Sequence, residues 1–188
     1  MSVSTKESPT IPELYRLVEL CRHENIALPI CSPMRSSMVP EPFNHLLVHR
    51  QSMTSVLQKF HNQDLHLENV SMRHISNRVL RKVTLVREDG LPVEFGAIEI
   101  RLELLPEEAQ QEIIAGQAPL GAILRRHKIN YFNKAFGFFE VESNRLVKDD
   151  LKINTEHLLY GRINGLYFSD LSVLAQVIEI LPPTEQFE

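Results

Sequence analysis

Tryptophan is missing from this chain of 188 residues, cysteine occurs twice and glycine only seven times. So little glycine excludes collagen-like and glycine-rich linker chains. Cys21 and Cys31 show neither a CxxC spacing nor a Cys/His ligand spacing. That argues against a zinc knuckle, a redox pair and a disulfide framework, and two free thiols fit a reducing compartment. No run of about eighteen apolar residues could cross a bilayer, and the first residues carry neither an apolar signal core nor an Arg-rich amphipathic pattern. A cytoplasmic protein without a membrane span is therefore expected. Excess positive charge is absent too: Lys and Arg number 20 against 24 Asp and Glu, a formal net charge of -4. Nothing draws the chain to phosphate backbones in bulk, no local basic patch is obvious, and no nucleic-acid partner is expected. The sequence contains no GxGxxG or Walker loop, no HExxH, no GxSxG elbow and no EF-hand loop. Its eight His are scattered without ligand spacing, so neither a metal nor a cofactor is expected. Asn69-Val70-Ser71 matches a glycosylation acceptor, a match read as chance without a secretory route.

What is present is an ordinary globular composition, 43% hydrophobic and 23% charged. One domain over residues 1–188 is expected, with 1–10 disordered. Pro12 followed by Leu14, Leu17, Val18 and Cys21 predicts a helix to about Glu24. Four prolines between residues 25 and 43 predict an extended segment that covers an edge or a cavity mouth. Ser52 before Met53, Val56, Leu57 and Phe60 predicts a capped helix over 52–61. Period-two stretches follow at 65–75 and 79–85, then a Glu88-Asp89-Gly90-Leu91 turn into a strand over 93–102. Leu105-Pro106-Glu107-Glu108 opens a helix that Gly116 closes, and Pro119-Leu120-Gly121 opens another. The basic run Arg125-Arg126-His127-Lys128 at its end reads as cations complementing a helix C-terminus in solvent, with an anion site as the alternative. Strands over 130–142, 158–168 and 173–181 complete the pattern. The expected fold is α+β: an antiparallel sheet of about six strands with helices packed on one face.

Two charges interrupt apolar patterns, and each costs free energy unless it is partnered. Arg81 shares a strand face with Val79, Val83 and Leu85. Its guanidinium must meet a carboxylate from a ligand or from the protein, such as Glu99 or Glu179, or reach solvent at a sheet edge. Glu179 lies within the run from Val173 to Leu181, apolar on both sides.

Four blocks in order resemble the chorismate pyruvate-lyase (4-hydroxybenzoate synthase) family. Arg50-Gln51-Ser52-Met53-Thr54 is similar to its short helix start, and Arg81-Lys82-Val83-Thr84-Leu85 to its R-x-[VI]-x-L strand. Ala118-Pro119-Leu120-Gly121 resembles its Pro-Leu-Gly, and Leu159-Tyr160-Gly161-Arg162 its Leu-Trp-Gly-Arg hairpin. Together the blocks span residues 46–183. An ungapped match from Tyr160 puts Val177 where the family has a glutamate; lengthening the turn at 168–172 by two residues brings Glu179 there without changing the strand face.

The resemblance implies a sheet with flaps enclosing a pocket for an aromatic carboxylate. It also implies a cofactor-free conversion of chorismate to 4-hydroxybenzoate and pyruvate, feeding quinone or other aromatic biosynthesis. By the same resemblance Arg81 clamps the ring carboxylate, while Glu179 hydrogen-bonds the ring hydroxyl or helps move its proton. Leu120 lends a backbone group, Met53 walls the pocket, and Arg162 assists the second carboxylate. The alternative is a non-catalytic, sensor-like module of the same fold, binding an aromatic carboxylate without turnover. The 3-hydroxy isomer as product and the oligomeric state stay open from the sequence.

Overall fold

In the computed structural model, which describes residues 14–187, seven antiparallel strands form one sheet in the order β1-β5-β6-β7-β4-β3-β2. The stretch 1–10 and the helix start at Pro12 lie outside the described residues. The first helix, α1 (Tyr15–His23), buries Leu17, Leu20 and Cys21. The proline-rich segment then supplies β1 (Cys31–Met34), which pairs with β5 at one edge of the sheet. Pro33 is tolerated there because an edge strand needs fewer ladder donors. This strand is the seventh, one more than the sequence pattern predicts, since four residues interrupted by proline carry too little alternation to register.

Two helices follow, α2 (Phe43–Leu47) and α3 (Met53–His61). Ser52 caps α3 as expected, its Oγ accepting from the Ser55 N–H at 3.3 Å. The strands β2 (His66–Ile75), β3 (Arg78–Val86) and β4 (Pro92–Arg101) form a meander. The β3–β4 turn closes on Gly90, whose φ of 78° suits a residue without a side chain. Next come α4 (Glu107–Ala115), ending at Gly116 in the left-handed conformation, and α5 (Leu120–Arg126). The chain continues through β5 (Phe132–Glu142), α6 (Arg145–Leu151), β6 (Leu158–Tyr167) and β7 (Val173–Leu181).

Helices cover both faces of the sheet, which corrects the expectation of one. α1 and α6 pack with Leu80, Phe95, Ala97, Ile163, Ile178 and Ile180 on the back. α4 and α5 pack on the front against Val79, Ile98, Ile100 and Val177; α2 and α3 cover Leu85, Val93 and Leu181. The cause is legible in β4 and β7, where apolar residues run almost without interruption, the pattern of strands buried on both sides. The sequence reading lacks α2 and, on the back face, a second helix, α6. It starts at Asn144, whose Oδ1 accepts from the Val147 N–H at 3.1 Å. Lys82 points to this back face and pairs with Asp150 at 2.8 Å and Glu24 at 3.5 Å, tying β3 to α6 and to the end of α1.

Candidate functional site

Register sets the floor of a front-face cavity. Arg81 on β3 lies opposite Ile98 on β4, which lies opposite Val177 on β7. In the next row Val83, Gly96, Glu179 and Arg162 follow one another from β3 across β4 and β7 to β6. One row further Leu85 faces Glu94. Because side chains alternate across a strand, Arg81, Glu94 and Glu179 all project to the front. A cavity of about 300 Å³ stands on this floor, a volume at the small end for a small-molecule site. Its roof comes from Ser52, Met53 and Thr54 at the start of α3 and from Leu120, Gly121 and Ala122 at the start of α5.

Arg81 is 1% exposed. One Nη donates to Ala118 O at 3.0 Å and approaches Gly116 O at 3.5 Å, in the turn between α4 and α5. Its buried Nε has no hydrogen-bond partner, and no carboxylate pairs with it among the described residues. Both protein acids that sequence alone left open are engaged elsewhere. Glu99 falls on the opposite face, where it accepts from Tyr15 and pairs with Arg78 at 3.2 Å. Glu179 is paired with Arg162. Burial alone pushes the Arg81 pKa down to about 10, so the group is still a cation at neutral pH. A desolvated guanidinium with free donor capacity and no carboxylate paired with it has the chemistry to receive an anion.

Glu179 is 5% exposed and lines the cavity, its Oε2 accepting from Arg162 Nε. Val177, the ungapped alternative, lines the cavity two residues earlier on the same face. Arg162 is placed differently from its expected role. It is fully buried and off the cavity wall, held behind Glu179 by their cross-strand register. Its remaining donors reach back to the segment before α3. One Nη donates to Leu47 O at 3.1 Å and to His49 Nδ1 at 3.1 Å. His49 Nε2 in turn donates to Leu46 O at 2.8 Å. Burial, and then the Arg162 charge, lower the His49 pKa to about 4, keeping the ring neutral and able to accept. Arg162 therefore holds Glu179 and anchors the segment that leads into the roof.

Met53 and Leu120, each the first residue of its helix, are buried and line the cavity. The sequence reading missed Glu94, 5% exposed, on the same floor. Its signal was the one that exposed Glu179, a charge in an apolar strand run. Burial first, then the nearby Glu179 charge, raise its pKa well above the ordinary 4.5, with Arg162 opposing. The far wall adds Tyr131, Asn133 and Asn164. Asn164 Nδ2 donates to Asn133 Oδ1 at 3.2 Å, while its buried Oδ1 has no partner. Of the basic run, Arg126 and His127 pair with Glu112, as solvent-side cations do, but Arg125 lines the cavity. Among the described residues no group of three or more His, Cys, Asp and Glu could hold a metal ion, and no helix is long and apolar enough to cross a membrane.

No family model matches the chain. A curated protein of Methanocaldococcus jannaschii, named "Putative lyase MJ0807", is 24% identical over 136 residues, covering 69% of this chain and 71% of that protein. Among solved structures, the effector domain of PhnF from Mycobacterium smegmatis superposes with a TM-score of 0.52 at 13% identity, covering 69% of this chain and 87% of that one. Full PhnF from the same organism gives 0.53 at 12% identity, covering 72% of this chain and 65% of that one. At these identities the structural likeness speaks to the fold, which is α+β and shared with the effector domain of PhnF.

Proposed function

We propose that the cavity binds an aromatic carboxylate and that the chain is a cofactor-free chorismate pyruvate-lyase. The observation that carries this reading is Arg81: a buried guanidinium lining a cavity, with no carboxylate paired with it among the described residues. The ring carboxylate of chorismate would supply the missing charge through paired N–H···O bonds. Arg81 is fixed for this by the carbonyl of Ala118, and the backbone at Leu120 adjoins the same turn.

In the reaction the ring carbon bearing the hydroxyl loses its hydrogen as a proton. The electrons of that C–H bond form the last ring double bond, the neighbouring C–O bond breaks, and enolpyruvate departs and gains a proton to become pyruvate. Aromatisation supplies most of the driving force. Glu179, held by Arg162, would accept from the ring hydroxyl or help carry the proton. Met53 and Leu120 keep water out while the enolpyruvyl arm stays near the departing hydrogen. No electron acceptor enters the balance.

The second reading, a non-catalytic binding module, draws on the similarity to the PhnF effector domain. The two separate in one experiment. Purified protein, incubated with chorismate without added metal, is expected to yield pyruvate and 4-hydroxybenzoate identified by chromatography, and Arg81→Met is expected to abolish turnover. Intact chorismate together with tight, Arg81-dependent binding of 4-hydroxybenzoate would reject the lyase and leave the binding module. The appearance of 3-hydroxybenzoate would correct the regiochemistry.

A further inference from the structure

Glu94 and Glu179 are neighbours on adjacent front-face strands. Gly96 lies directly opposite Glu179, and Glu94 is two residues along β4 from Gly96, so the two acids are diagonal partners, about 7–8 Å apart at Cα. Between them the floor is bare backbone. A Cβ built at Gly96 would lie 3.6 Å from Glu94 Oε1 and 3.1 Å from the Val83 side chain, so the glycine leaves the space into which the Glu94 carboxyl folds. Glu94 is 5% exposed, and among the described residues no hydrogen bond or ion pair reaches its carboxyl. Arg81 lies at the other end of the floor, opposite Ile98, four residues along β4 from Glu94.

A buried carboxyl without a protein partner is costly in either protonation state unless something in the cavity bonds to it. Its two states ask for different ligands. With Glu179 beside it, two negative charges on one floor are disfavoured, and of the pair it is the unpaired Glu94, not the Arg162-bound Glu179, whose neutral form is favoured. A protonated carboxyl is a hydrogen-bond donor, whereas Glu179, facing Arg162, is an acceptor. The pair therefore presents one donor and one acceptor at the end of the cavity away from the guanidinium.

We propose that Glu94 is a specificity-determining residue, donating from its carboxylic acid to a second ring oxygen next to the one that donates to Glu179. The ligand class is then a six-membered ring acid with a hydroxyl para to the carboxylate and an oxygen substituent, ether or hydroxyl, beside it. This deepens the proposed function and rests on its premise that Arg81 takes the ring carboxylate. Chorismate has this arrangement, with its enolpyruvyl ether next to its hydroxyl. Glu94 then reads the ether oxygen that leaves, and the product, which lacks it, is held more weakly.

The test is calorimetric titration with benzoate, 4-hydroxybenzoate and 3,4-dihydroxybenzoate at neutral pH. The wild-type protein is expected to bind the dihydroxy acid several-fold more tightly than 4-hydroxybenzoate, about what one net hydrogen bond provides. Glu94→Leu is expected to erase that advantage while leaving 4-hydroxybenzoate within about twofold, because only the second oxygen loses its partner. Glu94→Gln, whose amide still donates, is expected to keep most of it, and serves alone if the leucine variant does not fold. An advantage that survives in Glu94→Leu, or that Glu94→Gln reverses, overturns the role of Glu94 while leaving the carboxylate site standing. If none of the three acids binds wild-type protein, the premise about Arg81 fails, and the inference with it.

Discussion

Replacing Arg81 by methionine should stabilise the ligand-free protein while destroying its binding, an outcome no structural arginine would give. The guanidinium is 1% exposed, with an Nη bond to Ala118 O and no carboxylate partner among the described residues. The fall of its pKa from 12.5 to about 10 measures the cost of holding the charge there, on the order of 3 kcal/mol. Methionine is similar in length and apolar, so this cost vanishes. Lost in exchange is one charge-assisted hydrogen bond, worth about 1.5–3 kcal/mol. The balance is a net change from about zero to +1.5 kcal/mol, or a melting temperature unchanged to several degrees higher at about 2–4 °C per kcal/mol. The sign depends on pH in a defined way. The charge penalty is fully present below about pH 10 and fades between pH 10 and 12.5, so the advantage of the variant should be constant across the neutral range. Adding 4-hydroxybenzoate at a hundred times its Kd should raise wild-type stability by about 2.7 kcal/mol and leave the variant unmoved. Differential scanning calorimetry with and without ligand reads both effects. A ligand-free variant less stable by 2 kcal/mol or more would show that the guanidinium holds the fold together and that the cavity needs no anion.

Arg162 should behave in the opposite way. Arg162→Met leaves Glu179 buried without its partner and releases the Leu47–His49 segment, at a cost of about 3–5 kcal/mol in urea denaturation; adding Glu179→Leu should recover most of that loss, and a double variant no better than the single one would contradict the pairing. For Glu94, the folded pKa lies above the unfolded one, so its stabilising share is complete below about pH 4.5 and is lost as pH rises through the folded value. Glu94→Gln should therefore match wild type in acid and exceed it increasingly toward neutral and alkaline pH, and a difference constant with pH would refute the shift.

How far the sequence reveals this molecule depends on the kind of signal. Period-two runs and caps located β2 to β7, α1, α3, α4 and α5, because alternation and end chemistry are local properties. β1 escaped because its pairing with β5 is made by contact across more than a hundred residues, not by its own four. α6 escaped because its start at Asn144 follows directly on a strand end. The back face was hidden by the reading of β4 and β7 as one-sided, although their unbroken apolar runs were open to view. At the site, Arg81 and Glu179 stood out as charges on apolar faces, and Glu94 carried the same mark. What pattern could not give was which charge satisfies which. Only the register reveals that Arg162 neutralises Glu179 and that Arg81 is left for something else.

The roof and the floor of the cavity come from separate parts of the chain. The floor is a sheet whose strand pairings are locked by α1 and α6 from behind, whereas α3 and α5 each sit in a connection between strands and contribute nothing to the ladder. Substitutions in α3 and α5 that leave Ala118 and the Leu47–His49 segment in place can retune which molecule is admitted and how long it stays, because the contacts that hold Arg81 and Arg162 lie outside those two helices. An evolving lineage, or an engineer, could thus change which ligand this floor receives by altering the covering helices alone.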